Sequence, residues 1–174
     1  TVAAGAQQAS WSTINYTATT GSQGVELDNT TGSGTLQCEL AVSPTTQSIG
    51  FMFRETAQSD STDAYLYSAG ETALGDTIVR IVLRRSGSTY TAALYDGTNY
   101  STGITLSINT WYWLTAKIVK NGTCLLRIYN TSGTQIGSEV SLAGLDKQFF
   151  YHFIIGATAS ATGVRQIDNF VIDK

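Results

Sequence analysis

Apolar residues recur at every second position through most of this chain. In "GFMFRE" (50–55) Phe51 and Phe53 alternate with Met52 and Arg54, and in "IVRIVLRR" (78–85) Val79, Ile81 and Leu83 alternate with Arg80 and Arg84. In "WYWLTAKIVK" (111–120) Tyr112, Leu114, Ala116 and Ile118 form one set, with Trp111, Trp113, Thr115 and Lys117 between them. "TCLLRIYN" (123–130) sets Cys124, Leu126 and Ile128 against Arg127 and Tyr129. A period of two marks a strand with one buried face, and helical periodicity is scarcely present. Further strands are predicted at "STINYTA", "VELD", "TLQCELAVS", "AYLYS", "TYTAALY", "YHFIIGA" and "QIDNFVID". Turn chemistry separates them: "TTGSG", "RSGST", "YDGTN", "KNGT" and "NTSGT". Asn-Gly and Asp-Gly between alternating runs signal hairpins, because both central residues take positive φ. Two connections look longer, 55–63 and 69–76. The pattern predicts one all-β domain over residues 1–174, a sandwich of two antiparallel sheets.

Charge decides which face of each strand turns inward. Lysine is rarely buried unpaired, so the Tyr112–Ile118 set must face the opposite sheet. Trp111 and Trp113 then point away from the core. The same test turns Arg54, Arg80, Arg84, Arg127 and Tyr129 outward. Tryptophan, tyrosine and arginine together are an unusual outward set for a plain solvated sheet. The competing account is structural: a tryptophan at a strand start lies under a crossing loop, and surface arginines pair with neighbouring carboxylates.

Composition narrows the function classes. The chain has 174 residues, a net charge of -3 and only 13% charged residues, so it offers no basic block for nucleic acid. Its length suffices for a sizeable core, and its apolar runs are too short to span a bilayer. Thr1 is not followed by a basic-then-apolar leader, so a secreted protein is expected here in processed form or as a module of a longer chain. Cys38 and Cys124 each share a face with apolar neighbours, which predicts core positions. Two readings stand for them: a disulfide if their strands are neighbours, or separate buried thiols.

The order "SIGFMFRE…DAYLYSAG", "TWYWLTAKIVKNGTCLLRIYN" and "RQIDNFVID" resembles the concanavalin A-like jelly rolls. That group includes laminin-G-like domains and several carbohydrate-binding modules attached to glycoside hydrolases. The resemblance runs over about residues 25–174 in order, through short motifs, and the fold hosts binders, hydrolases, lyases and inert spacers. In the resembling binding modules the ligand lies on the concave sheet or on loops at its rim. An indole or phenol covers the C–H face of a pyranose, and guanidinium bonds its hydroxyls or a carboxylate. By that analogy the ligand-binding candidates are Trp113, Arg54, Arg80, Arg127, Tyr65 and Tyr67. In several such modules the aspartate of the closing strand holds a structural calcium, which here implies Asp168 with Glu26 or Asp28. The alternative for Asp168 is a salt bridge or backbone hydrogen bonds at a strand bend. Asp168 is expected on one face with Phe170 and Ile172, and Asn169 with Ile167 and Val171.

Catalytic signals are thin. Glu26 and Asp28 share a strand face, but the third carboxylate of the resembling hydrolases is replaced by Thr30. His152 has no nucleophile or carboxylate at motif spacing and reads as an ordinary strand residue. Glu55, Asp60 and Asp63 are the loop acids that would have to converge from a distance. The sequence points first to a non-catalytic, lectin-like carbohydrate-binding module, secreted or surface-displayed, with a polysaccharide or glycan partner and no required cofactor. The alternatives are a structural or protein-interaction module of an adhesin or phage fibre, and a glycan-active hydrolase or lyase.

Overall fold

A computed structural model describes residues 14–19, 22–28, 36–39, 45–58, 62–70, 77–143, 152–155 and 163–173, with side chains described at 45–58, 62–70, 79–143 and 163–170. The described residues are all β, in two antiparallel sheets. The first sheet has seven strands and contains β1 (Ile14–Thr19), β2 (Ser22–Asp28), β4 (Thr46–Gln58), β9 (Tyr112–Val119), β10 (Cys124–Asn130), β11 (Gln135–Leu142) and β13 (Gly163–Asp173). The second has six: β3 (Leu36–Glu39), β5 (Asp63–Gly70), β6 (Thr77–Ser86), β7 (Thr89–Tyr95), β8 (Ile104–Leu106) and β12 (His152–Ile155). Their orders are β1-β2-β13-β4-β9-β10-β11 and β3-β12-β5-β6-β7-β8. This is the expected jelly-roll sandwich.

The predicted inward sets form the core between the sheets. Phe51, Phe53, Tyr112, Leu114, Ala116, Ile118, Cys124, Leu126 and Ile128 come from the first sheet, and Val79, Ile81, Leu83, Ala92 and Leu94 from the second. Burying a side chain such as Leu or Phe contributes roughly 1.5–3 kcal/mol, so alternation over these strands is a strong constraint on register. The hairpin turns fall where predicted, with Gly87, Gly97 and Gly133 at positive φ. At "KNGT" the positive φ belongs to Asn121 alone, because the turn closes through the Gly122 N–H to the Val119 carbonyl (3.2 Å) and makes Lys120 and Asn121 its central residues.

Two strands are not among those predicted: β8 is only three residues long, and β11 is an edge strand that buries little beyond Val140 and Leu142. β4 also runs further than expected, to Gln58, so Glu55 lies in a strand and not in a loop. The connection 71–76, Asp60, Thr30 and the side chains of Glu26, Asp28, Cys38 and His152 lie outside the described residues. Cys124 is a buried free thiol, so of the two cysteine readings the unbridged one holds, and burial pushes its pKa up to about 11. Among the described residues no helix is long and apolar enough to cross a membrane.

Register shifts correct the expected facing of several residues. Between β5 and β6, Tyr65 pairs with Val82 but Tyr67 with Ile81, so two steps on one strand match one on the other. This bulge turns Tyr67 into the core, where it is fully buried and its hydroxyl donates to Gln47 Oε1. On β13, Asp168 pairs with Met52 and Val171 with Gly50, three steps against two. Asn169 is the extra residue, at φ 52, and Phe170 therefore packs on Phe51 with ring centroids 5.7 Å apart. Asp168 does not share a face with Phe170: the inward residues are Ile167 and Phe170, and Asp168 lies opposite Met52.

Candidate functional site

The outward residues divide between two surfaces that lie on opposite sides of the sandwich. On the seven-stranded sheet, register places Asp168, Met52, Trp113, Tyr129 and Gln135 in one row across β13, β4, β9, β10 and β11. The adjoining row on one side has Gln166 opposite Arg54, which stands over the Trp111 ring, 5.1 Å from its centroid. The adjoining row on the other side is Gly50, Thr115 and Arg127, with Lys117 one row further. Trp111 and Trp113 are half-buried, while Thr115, Lys117 and Arg127 are exposed. The outward placement of both tryptophans, Arg54 and Arg127 is therefore as expected.

Differences in partnering separate these groups. Arg127 donates from Nε to Glu139 Oε2 at 2.6 Å, and that bond raises the pKa of its exposed guanidinium. Arg54 has no carboxylate partner among the described residues. Its Nε donates to Gln166 Oε1 at 2.8 Å and its Nη2 donates to the same oxygen. Trp111 is thus covered by Arg54, whereas Trp113 carries no aromatic or cationic side chain over its ring among the described residues. Gly50 and Thr115 are its small neighbours in the adjoining row.

The second surface, the outer face of the six-stranded sheet, holds Tyr65 and Arg80. Arg80 lies 4.4 Å over Tyr65 and 5.9 Å from Tyr95, and its Nη1 donates to the Tyr65 hydroxyl at 3.1 Å. Tyr95 and Tyr100 stack at 4.2 Å, and Arg84 covers Tyr100 at 3.9 Å while its Nε bonds Asp63 at 3.0 Å. The Tyr100 hydroxyl donates to Asp63, and burial with that carboxylate pushes its pKa up to about 12. Beneath this layer Val82 and Ala93, which point out of the core, are only 0% and 2% exposed. The layer roofs its own sheet and its ring faces are occupied from within. Trp113, Arg80 and Arg127 consequently do not form one set: strand alternation reports inside against outside, but not which sheet.

The described acids do not converge. Asp63 faces the six-stranded surface, and Glu55 points into the core against Arg165, with Nε to Oε2 3.0 Å apart. Asp168 is buried on the seven-stranded side, and its Oδ1 accepts the Asn169 N–H at 2.7 Å. For a calcium ion the described residues supply Asp168 alone, and no group of three acidic, histidine or cysteine ligands occurs among them. Backbone register puts Glu26 opposite Gln166 and Asp28 opposite Val164.

Neither a protein-family model nor a curated protein matches the chain. Solved structures do match, and they are similar in fold. A GH43 glycoside hydrolase engineered to act as endo-xylanase and exo-arabinofuranosidase is similar over 93% of this chain and 36% of its own, at TM-score 0.63 and 14% identity. An alginate lyase from Alteromonas sp. 272 is similar over 86% of both chains, at TM-score 0.59 and 9% identity. A botulinum neurotoxin type C structure, described as entering cells through two ganglioside molecules, is similar over 92% of this chain and 41% of its own, at TM-score 0.58 and 14% identity. The chain spans less than half of the toxin and hydrolase chains that it resembles. At these identities the likeness establishes a β-sandwich of jelly-roll type, a fold on which both enzymes and binding domains occur.

Sequence reasoning had missed Gln166, Met52 and the tyrosines 95 and 100. The outward direction of Gln166 was legible, because it precedes the inward Ile167; its place beside Arg54 depends on the pairing of β13 with β4. The pairing of Tyr95 with Tyr100 was not, since it depends on an isolated bridge across the "YDGTN" turn.

Proposed function

We propose that this chain is a non-catalytic glycan-binding module of concanavalin A-like type, with its ligand on the outer face of the seven-stranded sheet. The observation that carries the reading is the half-buried outward indole of Trp113, set between Met52 and Tyr129, with no aromatic or cationic side chain over its ring among the described residues. A pyranose needs one uncovered aromatic face and planar donors around it. Trp113 offers the first; Arg54 and, at the edge, Arg127 offer the second. Arg80 and Tyr65 lie on the other surface and are already stacked on one another, so they fall outside the proposed site, as does the buried Tyr67.

Two further points support binding over catalysis. Glycosidic cleavage generally uses two carboxyl groups flanking the sugar. Among the described acids, Glu55 is in the core, Asp63 is on the opposite surface and Glu139 is tied to Arg127. The neighbouring folds include a toxin chain associated with gangliosides and two glycan-active enzymes, which places sugar ligands within the repertoire of the fold. A polysaccharide ligand implies a secreted or surface-displayed protein.

A glycan array with the intact chain tests the proposal. Binding of at least one glycan class, lost in Trp113→Ala, is the expected result. An array without signal would favour a structural or protein-interaction module, and release of reducing ends from a polysaccharide would favour an enzyme.

A further inference from the structure

We infer that the ligand of this face is a carboxylated glycan, a chain containing uronic acid, and that Arg54 is the group that selects it. The inference rests on the glycan-binding reading of the Trp113 face and adds the chemical class of the sugar.

The arginines of the described structure differ in how their charge is answered. Arg84, Arg127 and Arg165 each have a carboxylate within 3.0 Å: Asp63, Glu139 and Glu55. Arg54 has none among the described residues, although it is partly removed from water and held in place from two directions. Trp111 supports one face of its guanidinium, at 5.1 Å to the ring centroid. Gln166, directly opposite on β13, takes its Nε and Nη2 hydrogens on a single amide oxygen. That oxygen is neutral, so it orients the cation without discharging it.

The geometry of a guanidinium makes this informative. Nε and Nη2 share one edge of the plane, and that edge is occupied by Gln166. The adjacent edge, formed by Nη1 and the second hydrogen of Nη2, keeps two parallel donors. Two parallel N–H groups on a fixed cation match the two oxygens of a carboxylate, and arginine held in advance loses little side-chain freedom on forming that fork. A hydroxyl would use only one of the two donors. A neutral sugar would therefore leave the cation unanswered in a half-buried place, whereas a uronate answers both its charge and its geometry.

Position agrees with chemistry. Met52 pairs with Trp113, and Arg54 is two residues along β4, so Arg54 and Trp113 are diagonal neighbours on one face. Such neighbours lie about 7–8 Å apart at Cα, close enough for long side chains to act on one ligand. A ring stacked on Trp113 can then present its own carboxylate, or that of the adjoining residue, to Arg54. Lys117 adds a second exposed positive charge on the same strand as Trp113. Among the described side chains the acid beside this pair is Asp168, which is buried and accepts a backbone N–H from Asn169.

The test compares four polymers with the intact chain by affinity electrophoresis and calorimetry: polygalacturonate, the same polymer with its carboxyls reduced to alcohols, a neutral xylan, and a sulfated dextran. Polygalacturonate is expected to bind at least about tenfold more tightly than its reduced form, as a charge-assisted bidentate contact implies. Arg54→Gln should erase that difference, weakening binding of polygalacturonate much more than binding of the reduced polymer. Arg54→Lys, which keeps the charge but not the fork, should recover only part of it. A thermal midpoint close to that of the parent protein certifies both variants as folded, and the reduced polymer makes the same comparison with no mutation at all. Equal binding of the polygalacturonate and its reduced form, both lost in Trp113→Ala, would overturn the uronate assignment and leave the glycan site standing. Preference for the sulfated dextran, dependent on Arg54, would overturn the carboxylate in favour of a sulfate ester. Absence of binding to all four, together with a blank glycan array, would overturn the glycan reading and this inference with it.

Discussion

Arg165 and Glu55 face each other across β13 and β4 inside the sandwich, with side chains 0% and 3% exposed and Nε to Oε2 3.0 Å apart. The pair occupies positions that the alternation reserves for apolar residues, between Ile167 and Phe53 on one side and Gly163 on the other. Among the described residues Nη1 and Nη2 of Arg165 have no hydrogen-bond partner, and Gly163 fits only because it lacks a Cβ, which would come within 2.8 Å of Glu55 Oε1. An ionisable pair withdrawn from water with so few further bonds stabilises a fold weakly or not at all. Removing Glu55 is another matter, because the buried Arg165 cation is then stranded. Glu55→Leu alone should destabilise by about 3–5 kcal/mol, whereas Arg165→Leu with Glu55→Leu should come close to the parent or exceed it. Denaturant unfolding of the parent and the two variants checks this, and a double variant as weak as the single one would show that the pair is a net stabiliser.

The same carboxyl sets a pH dependence. Burial raises the Glu55 pKa from 4.5 to about 8, against the opposing pull of Arg165. The folded state therefore holds this proton more tightly than the unfolded chain. Its contribution to stability is complete below the unfolded value and is lost progressively as pH rises from about 4.5 to about 8. Glu55→Gln cannot lose a proton, so the thermal midpoint of that variant should fall less than the parent's over this interval. Parallel curves for the two proteins would refute the shift.

Trp113→Ala should weaken binding of whichever glycan the module takes by about 1–3 kcal/mol, the scale of removing a central aromatic anchor. Its thermal midpoint should move little, because the ring has no stacked partner among the described residues. A large fall in stability would show instead that the indole is packed beneath another part of the chain.

Tyr65→Ala and Arg80→Ala should behave in the opposite way. Their side chains belong to the layer that roofs Val82 and Ala93, so removing either exposes apolar surface and lowers the midpoint. Glycan affinity should remain within about twofold of the parent, a free-energy change well under 1 kcal/mol. Loss of affinity with unchanged stability would transfer the site to the six-stranded sheet.

Asp168 distinguishes a bulge support from a metal ligand. Its Oδ1 accepts the N–H of Asn169, the extra residue of the β13 bulge, and asparagine retains that oxygen. Asp168→Asn should therefore preserve stability, while Asp168→Ala should cost about 1 kcal/mol by removing the acceptor. The metal-free protein should melt alike with chelator and with millimolar calcium. A midpoint raised by calcium in the parent but not in Asp168→Asn would establish an ion bound by the native state.

The alternation of apolar and polar residues was enough to place most strands, to choose the inward set from Tyr112 to Ile118, and to send Trp111, Trp113, Arg54 and Arg127 outward. Each of those judgements uses only neighbours along the chain, since a strand projects successive side chains to opposite faces. Two kinds of fact lay beyond that reach. A bulge adds one residue to one strand of a pair and inverts everything after it, so Tyr67 went into the core and Phe170 parted from Asp168, although their sequences alternate without a visible break. The pairing of strands then assigned Arg54 and Trp113 to one sheet and Arg80 and Tyr65 to the other. Alternation says that a residue points out; which of two outer surfaces it reaches depends on long-range pairing, and no local pattern carries that information. The contact of Arg54 with Gln166, 112 positions away, exists for the same reason: β13 returns from the far end of the chain to lie against β4.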